Sequence, residues 1–252
     1  MTASPASGGP RRLVSLGVAV VTALAVGCAA QIPPKAPAGT SSATDPPQGV
    51  ATATPAKESG PEFTSTVKPL SNAERSAMTP AVWRPGCPVS LDDLRLVTVR
   101  HWSADGKVRT GRLVVHWKGA AATVRIMRAL FDLRFPITRM EPIERYVGDD
   151  FQSIEADNTS AFNCRRRVGT GGWSQHAYGR AIDINPLLNP YVRGRHTAHV
   201  ASRPYLNRNR VRPGMLVAGS EEVAVIEAEG WGWAGAWPGK IQDYQHISAT
   251  GR

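Results

Sequence analysis

Two short stretches concentrate the residues able to do chemistry. They are Ser174-Gln175-His176-Ala177-Tyr178-Gly179-Arg180-Ala181-Ile182-Asp183 and Asp243-Tyr244-Gln245-His246. Together they offer two imidazoles and two carboxylates. A catalytic zinc ion takes three protein nitrogen or oxygen ligands and keeps a fourth position open. Neutral histidine and carboxylate are suitable donors for it. On a straight helix His176 and Asp183 would stand about 10.5 Å apart along the axis, which is awkward for two short bonds to one ion. Gly179 lets the chain turn between them. Asp183 is then expected on a strand that shares a face with Ala181 and Asn185, while Ile182 and Ile184 point to the core. A carboxylate on a short, otherwise apolar strand is costly unless a cation meets it. Singly, His176 reads as an ordinary hydrogen-bonded histidine and Asp183 as the partner of an arginine. Only the combination points to a metal.

The elements that must hold these residues are legible in outline. Leu94–Trp102 and Lys107–Trp117 are β-rich runs around a Ser-Ala-Asp-Gly turn and predict a hairpin. Ala120–Phe131 places Val124, Met127, Leu130 and Phe131 on one helical face, with Pro136 soon after its end. Ala181–Asn185 alternates like a strand and stops at Pro186. Ser220 can cap a helix with Glu221 and Glu222 in its first turn and Gly230 at its end. Tyr244–Ser248 reads as a last short strand. Strands and helices mix without regular βαβ alternation. The expected fold class is therefore α+β, a single domain with a mostly antiparallel sheet flanked by helices.

This domain is expected over residues 79–252, behind two segments of different character. Arg11 and Arg12 precede an uncharged apolar run from Leu13 to Val26, shorter than the ~20 residues that span a bilayer as a helix. Residues 1–27 therefore read as an export signal. The end, Leu24-Ala25-Val26-Gly27-Cys28, resembles the lipobox of bacterial lipoproteins, with Ala25 where that box prefers Leu. The resemblance implies lipidation of Cys28; ordinary signal cleavage near Ala30 is the alternative. Residues 28–78, rich in Pro, Ala, Thr, Ser and Gly, read as a disordered tether. Of the three cysteines, Cys87 and Cys164 remain in the domain. In an oxidising compartment they read as one disulfide worth about 4 kcal/mol on the loop-entropy model, with two buried free thiols as the alternative.

The 252-residue chain carries 30 Lys+Arg against 20 Asp+Glu, a net charge of +10. That suits an anionic partner such as an acidic wall polymer. Nucleic acid is set aside, because the chain reads as exported and no recognition motif accompanies the charge. Ile184–Ser220 holds no acidic residue and six arginines, Arg193, Arg195, Arg203, Arg208, Arg210 and Arg212. It reads either as a rim for an anionic ligand or as a solvated basic loop. His196 and His199 lie in this stretch and read as incidental surface histidines; His101 and His116 read as structural. Trp231, Trp233 and Trp237 either wall a cleft or fill the core.

The pattern Ser-x-His-x-x-Gly-x-Ala-x-Asp, followed by an acidic residue three before a His, resembles the M15 zinc peptidases. Ala161-Phe162-Asn163-Cys164-Arg165, Ile184-Asn185-Pro186 and Asn189-Pro190-Tyr191 resemble the D-alanyl-D-alanine carboxypeptidase-like branch, as do Arg84-Pro85-Gly86-Cys87-Pro88 and Phe135-Pro136-Ile137. The resemblance implies an M15/hedgehog-like zinc peptidase fold and one Zn²⁺ held by His176, Asp183 and His246. It also implies Asp243 as general base, where many members have Glu. An upstream arginine helps hold the attacked carbonyl oxygen in parts of that family. Arg165 is the candidate here, with Arg166 and Arg167 adjoining it. Ser174 is expected to orient the site, with Tyr244 and Trp237 as possible substrate contacts. The implied activity is hydrolysis of peptidoglycan stem peptides, first as a D-alanyl-D-alanine carboxypeptidase and second as an L-alanyl-D-glutamate or other endopeptidase. A non-catalytic wall-binding lipoprotein is the reading from another class. The expected setting is a monomer outside the cell membrane, anchored through Cys28.

Overall fold

The structure is a computed structural model that describes residues 60–167 and 171–251. The export signal, the lipobox and the tether as far as residue 59 lie outside the described residues.

The hairpin forms where expected. β2 (Leu94–Trp102) and β3 (Val108–His116) pair antiparallel from Leu94↔His116 to Trp102↔Val108. Between them Ser103 N–H donates to the Lys107 carbonyl at 2.8 Å, and Gly106 takes φ +73°. Val97, Val99, Leu113 and Val115 bury one face of this pair. Helix α2 (Trp117–Asp132) lies against it through Ala120, Thr123, Ile126, Met127, Leu130 and Phe131, a three-to-four-residue spacing that makes one apolar stripe. His116 caps this helix, its Nδ1 accepting from the Lys118 N–H at 3.1 Å. His101 is buried, with Nδ1 3.0 Å from the Trp102 carbonyl. Ser220 caps α4 (Glu221–Ala228), which packs beside α2 and is tied to it by Arg125–Glu229 at 2.7 Å.

The N-terminal boundary differs from expectation. The tether does not run to residue 78. β1 (Ser65–Pro69) adds an antiparallel third strand to β2, and α1 (Asn72–Met78) follows with a Ser71/Glu74 capping box. Phe63, Leu70 and Met78 are buried. Composition hides this strand because all five of its side chains are exposed and backbone hydrogen bonds hold it. Cys87 and Cys164 are bonded, Cα to Cα 5.9 Å. They lie beside a second core patch built from Leu70, Met78, Val82, Leu94, Val114 and Phe162.

The architecture is α+β with mostly antiparallel strands. The strands do not form one sheet, however. β4 (Arg139–Met140) pairs parallel with β5 (Asn158–Thr159), following helix α3 (Asp150–Glu155). A separate sheet takes the order β6–β10–β8, from β6 (Ala181–Asp183), β8 (Gly232–Trp233) and β10 (His246–Ser248). β7 (Tyr191–Arg193) pairs with β9 (Ile241–Asp243). β6 is also shorter than expected. It ends at Asp183, and Asn185 leaves the strand with φ +44°. The buried Asn185 amide instead receives the Thr138 N–H and donates to the Pro136 and Gly214 carbonyls, pinning the loop that follows.

Candidate metal centre

His176 lies on a single 3₁₀ turn, Gln175–Tyr178, whose first N–H groups need partners. Ser174 supplies one, its Oγ accepting from the His176 N–H at 3.3 Å. Gly179 closes the turn with φ +62°. A Cβ at this position would stand 2.6 Å from the His116 backbone nitrogen, which itself donates to the Gly179 carbonyl at 2.9 Å. Glycine is thus required both by the left-handed backbone and by the approach of β3.

Directly after the turn, β6 runs antiparallel to β10 with Asp183 opposite His246 and Ile182 opposite Ile247. Residues directly opposite in such a ladder share a face. The isoleucines fill the core and the Asp–His pair points the other way, toward His176. The three side chains meet. His176 Nε2 stands 3.2 Å from Asp183 Oδ2 and 3.1 Å from His246 Nδ1, and His246 Nδ1 stands 3.0 Å from Asp183 Oδ1. All three ligand atoms lie within 4.8 Å of one another.

The tautomer of His176 follows from its other nitrogen. Nδ1 faces the Ala161 carbonyl at 2.6 Å, and a carbonyl only accepts. Nδ1 therefore carries a hydrogen, so that Nε2 is the nitrogen that turns a lone pair into the cluster whenever the ring is neutral. Burial by itself would raise the Asp183 carboxyl, but the two histidines, His176 foremost, outweigh that and hold it well below the usual carboxylate range. Two imidazole nitrogens and an ionised carboxylate converging in a buried pocket fit one divalent ion, and zinc suits that donor set.

Asp243 ends β9, and the turn Tyr244-Gln245 returns the chain to His246. The turn is held by Ile184 N–H to the Gln245 carbonyl at 2.9 Å and by Trp233 Nε1 to the Tyr244 carbonyl at 2.7 Å. Arg208 lies over the Tyr244 ring at 4.4 Å. Asp243 Oδ1 is buried with no hydrogen-bond partner. Burial first, then the negative charge of Asp183, push its carboxyl up to about 6. Trp237 is half-buried, its ring 6.3 Å from that of His246.

The three adjacent arginines separate. Arg166 stacks over Trp173 at 3.9 Å, and its Nη1 donates to the Gly171 carbonyl. The Arg167 side chain lies against Gly172. Arg165 instead forms an ion pair with Asp150. His196 lies in an exposed turn paired with Arg193, whereas His199 is not a surface histidine: it is buried, 2.6 Å from Glu155 and 4.5 Å ring to ring from Phe151. Neither joins the cluster. The Ala161 carbonyl and Asp150 escape sequence reasoning. A carbonyl has no residue signature, and Asp150 is an ordinary acidic residue at the start of a short helix.

The fold thus brings together a buried His–Asp–His set able to hold a metal ion and, three residues before His246, a buried carboxyl oxygen without a hydrogen-bond partner. Residues 168–249 match the model of a peptidase family described as D-alanyl-D-alanine carboxypeptidase, within the M15 peptidases. The matched segment carries all three clustered side chains and Asp243, so the chain is similar to that peptidase family over the part that holds the site. No curated protein and no solved structure matches the chain.

Proposed function

We propose that the domain is a zinc-dependent peptidase acting on peptidoglycan stem peptides, and first of all a D-alanyl-D-alanine carboxypeptidase. The observation that carries this is the meeting of His176, Asp183 and His246, with Asp243, three residues before His246, keeping a buried Oδ1 that has no hydrogen-bond partner. The three clustered side chains would hold one zinc ion. Bound there, zinc supplies Lewis acidity toward a water and a carbonyl oxygen.

The chain's own groups do the rest. Asp243 takes the proton of the attacking water at its free Oδ1 and passes it to the departing amine, the work of a general base that turns acid. Arg165 offers cationic N–H donors to the oxygen that becomes negative on the attacked carbonyl. Ser174 caps the turn that carries His176 and has no base fixed beside it, so it orients and does not attack. Tyr244 and Trp237 stand beside Asp243 and His246 as walls for the peptide.

The bonded cysteine pair supports an oxidising, extracytoplasmic setting. We place the protein there, held to the membrane through a lipid at Cys28. Incorporation of labelled fatty acid, abolished by Cys28→Ala, tests the anchor.

The activity is tested by incubating the protein with purified peptidoglycan pentapeptides, with and without a chelator. Chelator-sensitive release of free D-Ala is expected. Cleavage at another bond would make the protein an endopeptidase. No chelator-sensitive product would leave the wall-binding reading in its place.

A further inference from the structure

The three elements that converge on Arg165 suggest a role for a residue outside the cluster. Asp150 opens helix α3, fifteen positions before Arg165 in the sequence. One carboxylate oxygen, Oδ2, forms the ion pair with Arg165 Nε. The other, Oδ1, accepts from Asn163 Nδ2 at 2.8 Å. That same amide group donates to the Gly148 carbonyl at 3.0 Å, and the Asn163 backbone N–H donates to the His176 carbonyl at 3.2 Å. The Ser174 N–H closes the bracket on the Arg165 carbonyl at 3.1 Å. Arg165 is therefore fixed at both ends, by its backbone to the turn that carries His176 and by its guanidinium to Asp150.

The charge balance makes this more than packing. Arg165 is one-third exposed, and a surface ion pair there would contribute little to stability. Among the described residues no protein group other than Asp150 is found for its guanidinium. A planar guanidinium with one edge tied is held in orientation, and its remaining N–H donors stay available to a ligand. Its backbone carbonyl accepts the Ser174 N–H, and the neighbouring Asn163 N–H donates to the His176 carbonyl, so the arginine is tied to the turn that brings His176 into the cluster.

We propose that Asp150 is a positioning residue for the peptidase reaction: its carboxylate, itself held by Asn163, fixes the Arg165 guanidinium at the angle needed to meet the carbonyl oxygen of the substrate. This rests on the peptidase reading above. Asp150 touches neither substrate nor metal; it acts through Arg165.

The test is a double-mutant cycle on chelator-sensitive peptide hydrolysis by wild type, Asp150→Asn, Arg165→Ala and the double variant. Loss of one oxyanion donor typically costs about 10²–10³ in kcat, so Arg165→Ala is expected in that range. Asp150→Asn is expected to lower kcat about tenfold with KM little changed, and the double variant to be no slower than Arg165→Ala alone. Zinc content, read by atomic absorption, is expected to stay at one per chain in all four proteins. Should Asp150→Asn not fold, Asp150→Glu, which keeps the charge but moves it, carries the same expectation. Wild-type kcat in a folded Asp150 variant, or effects that multiply in the double variant, would overturn the positioning role while leaving the peptidase standing. No hydrolysis by the wild type would overturn both.

Discussion

At the scale of single residues, the site divides its acidic groups by surroundings. Asp183 faces two imidazoles and stays ionised; Asp243 faces burial and another carboxylate and binds its proton more tightly. The first environment makes a ligand, the second a group that exchanges protons. The two kinds of residue should therefore fail differently. Asp243→Ala leaves the three clustered side chains in place, so zinc is expected at one per chain while kcat falls by about 10²–10⁴, the usual worth of a general base. His246→Ala removes a ligand, so zinc itself is expected to be lost on dialysis. Metal analysis beside steady-state kinetics separates the outcomes, and wild-type turnover in Asp243→Ala would remove that residue from catalysis. The residue types of Ser174–Asp183 and Asp243–His246 pointed to a metal, but which three of the four groups would meet was implied by the resemblance to the M15 pattern and not by spacing. Asp150 was not legible: its link to Arg165 depends on how an irregular segment returns from α3, and no local pattern encodes that.

At the scale of elements, the site hangs on two contacts between pieces that are individually small. β6 and β10 have three residues each, too few to be stable alone, and their pairing is what sets Asp183 opposite His246. The 3₁₀ turn that carries His176 is pressed onto β3 at Gly179, with φ +62° and 2.6 Å of room for a Cβ against His116 N. The hairpin, α2 and α4 could be read from alternation, periodicity and caps, since each buries one face along its own length. Division of the remaining strands into several small sheets could not, because strands of two or three residues carry no alternation. Gly179→Ala is expected to force the turn off β3, at a cost of at least about 1 kcal/mol for the left-handed backbone, with the contact adding to it. Because the turn moves His176, zinc affinity should drop together with the melting temperature. A variant that melts as wild type and keeps its zinc would show that the turn tolerates the added methyl group.

At the scale of the whole molecule, the segment before the first predicted strand is part of the fold. β1 covers one edge of β2, and Phe63, Leu70 and Met78 are buried in the two core patches. Burying such side chains is worth about 1.5–3 kcal/mol each, as an upper estimate. Against a total stability of about 5–15 kcal/mol for a domain, their loss matters. Removing the segment would also leave β2, with its alternating apolar face, as an open sheet edge, the situation that invites strand pairing between molecules. Two soluble forms put this to a direct comparison. A chain starting at residue 61 is expected to melt cooperatively and remain monomeric in size-exclusion chromatography. One starting at residue 79 is expected to melt about 10 °C lower or to aggregate, at about 2–4 °C per kcal/mol for a domain of this size. Equal melting temperatures for the two would return β1 and α1 to the tether. The outcome also bears on the site, since Val82, which follows α1, accepts the Cys164 N–H at 3.0 Å and Cys164 adjoins Arg165. Stripping the N-terminal strand and helix should therefore loosen the arginine as well as the core, and zinc retained at reduced kcat is the pattern expected of any shortened chain that still folds.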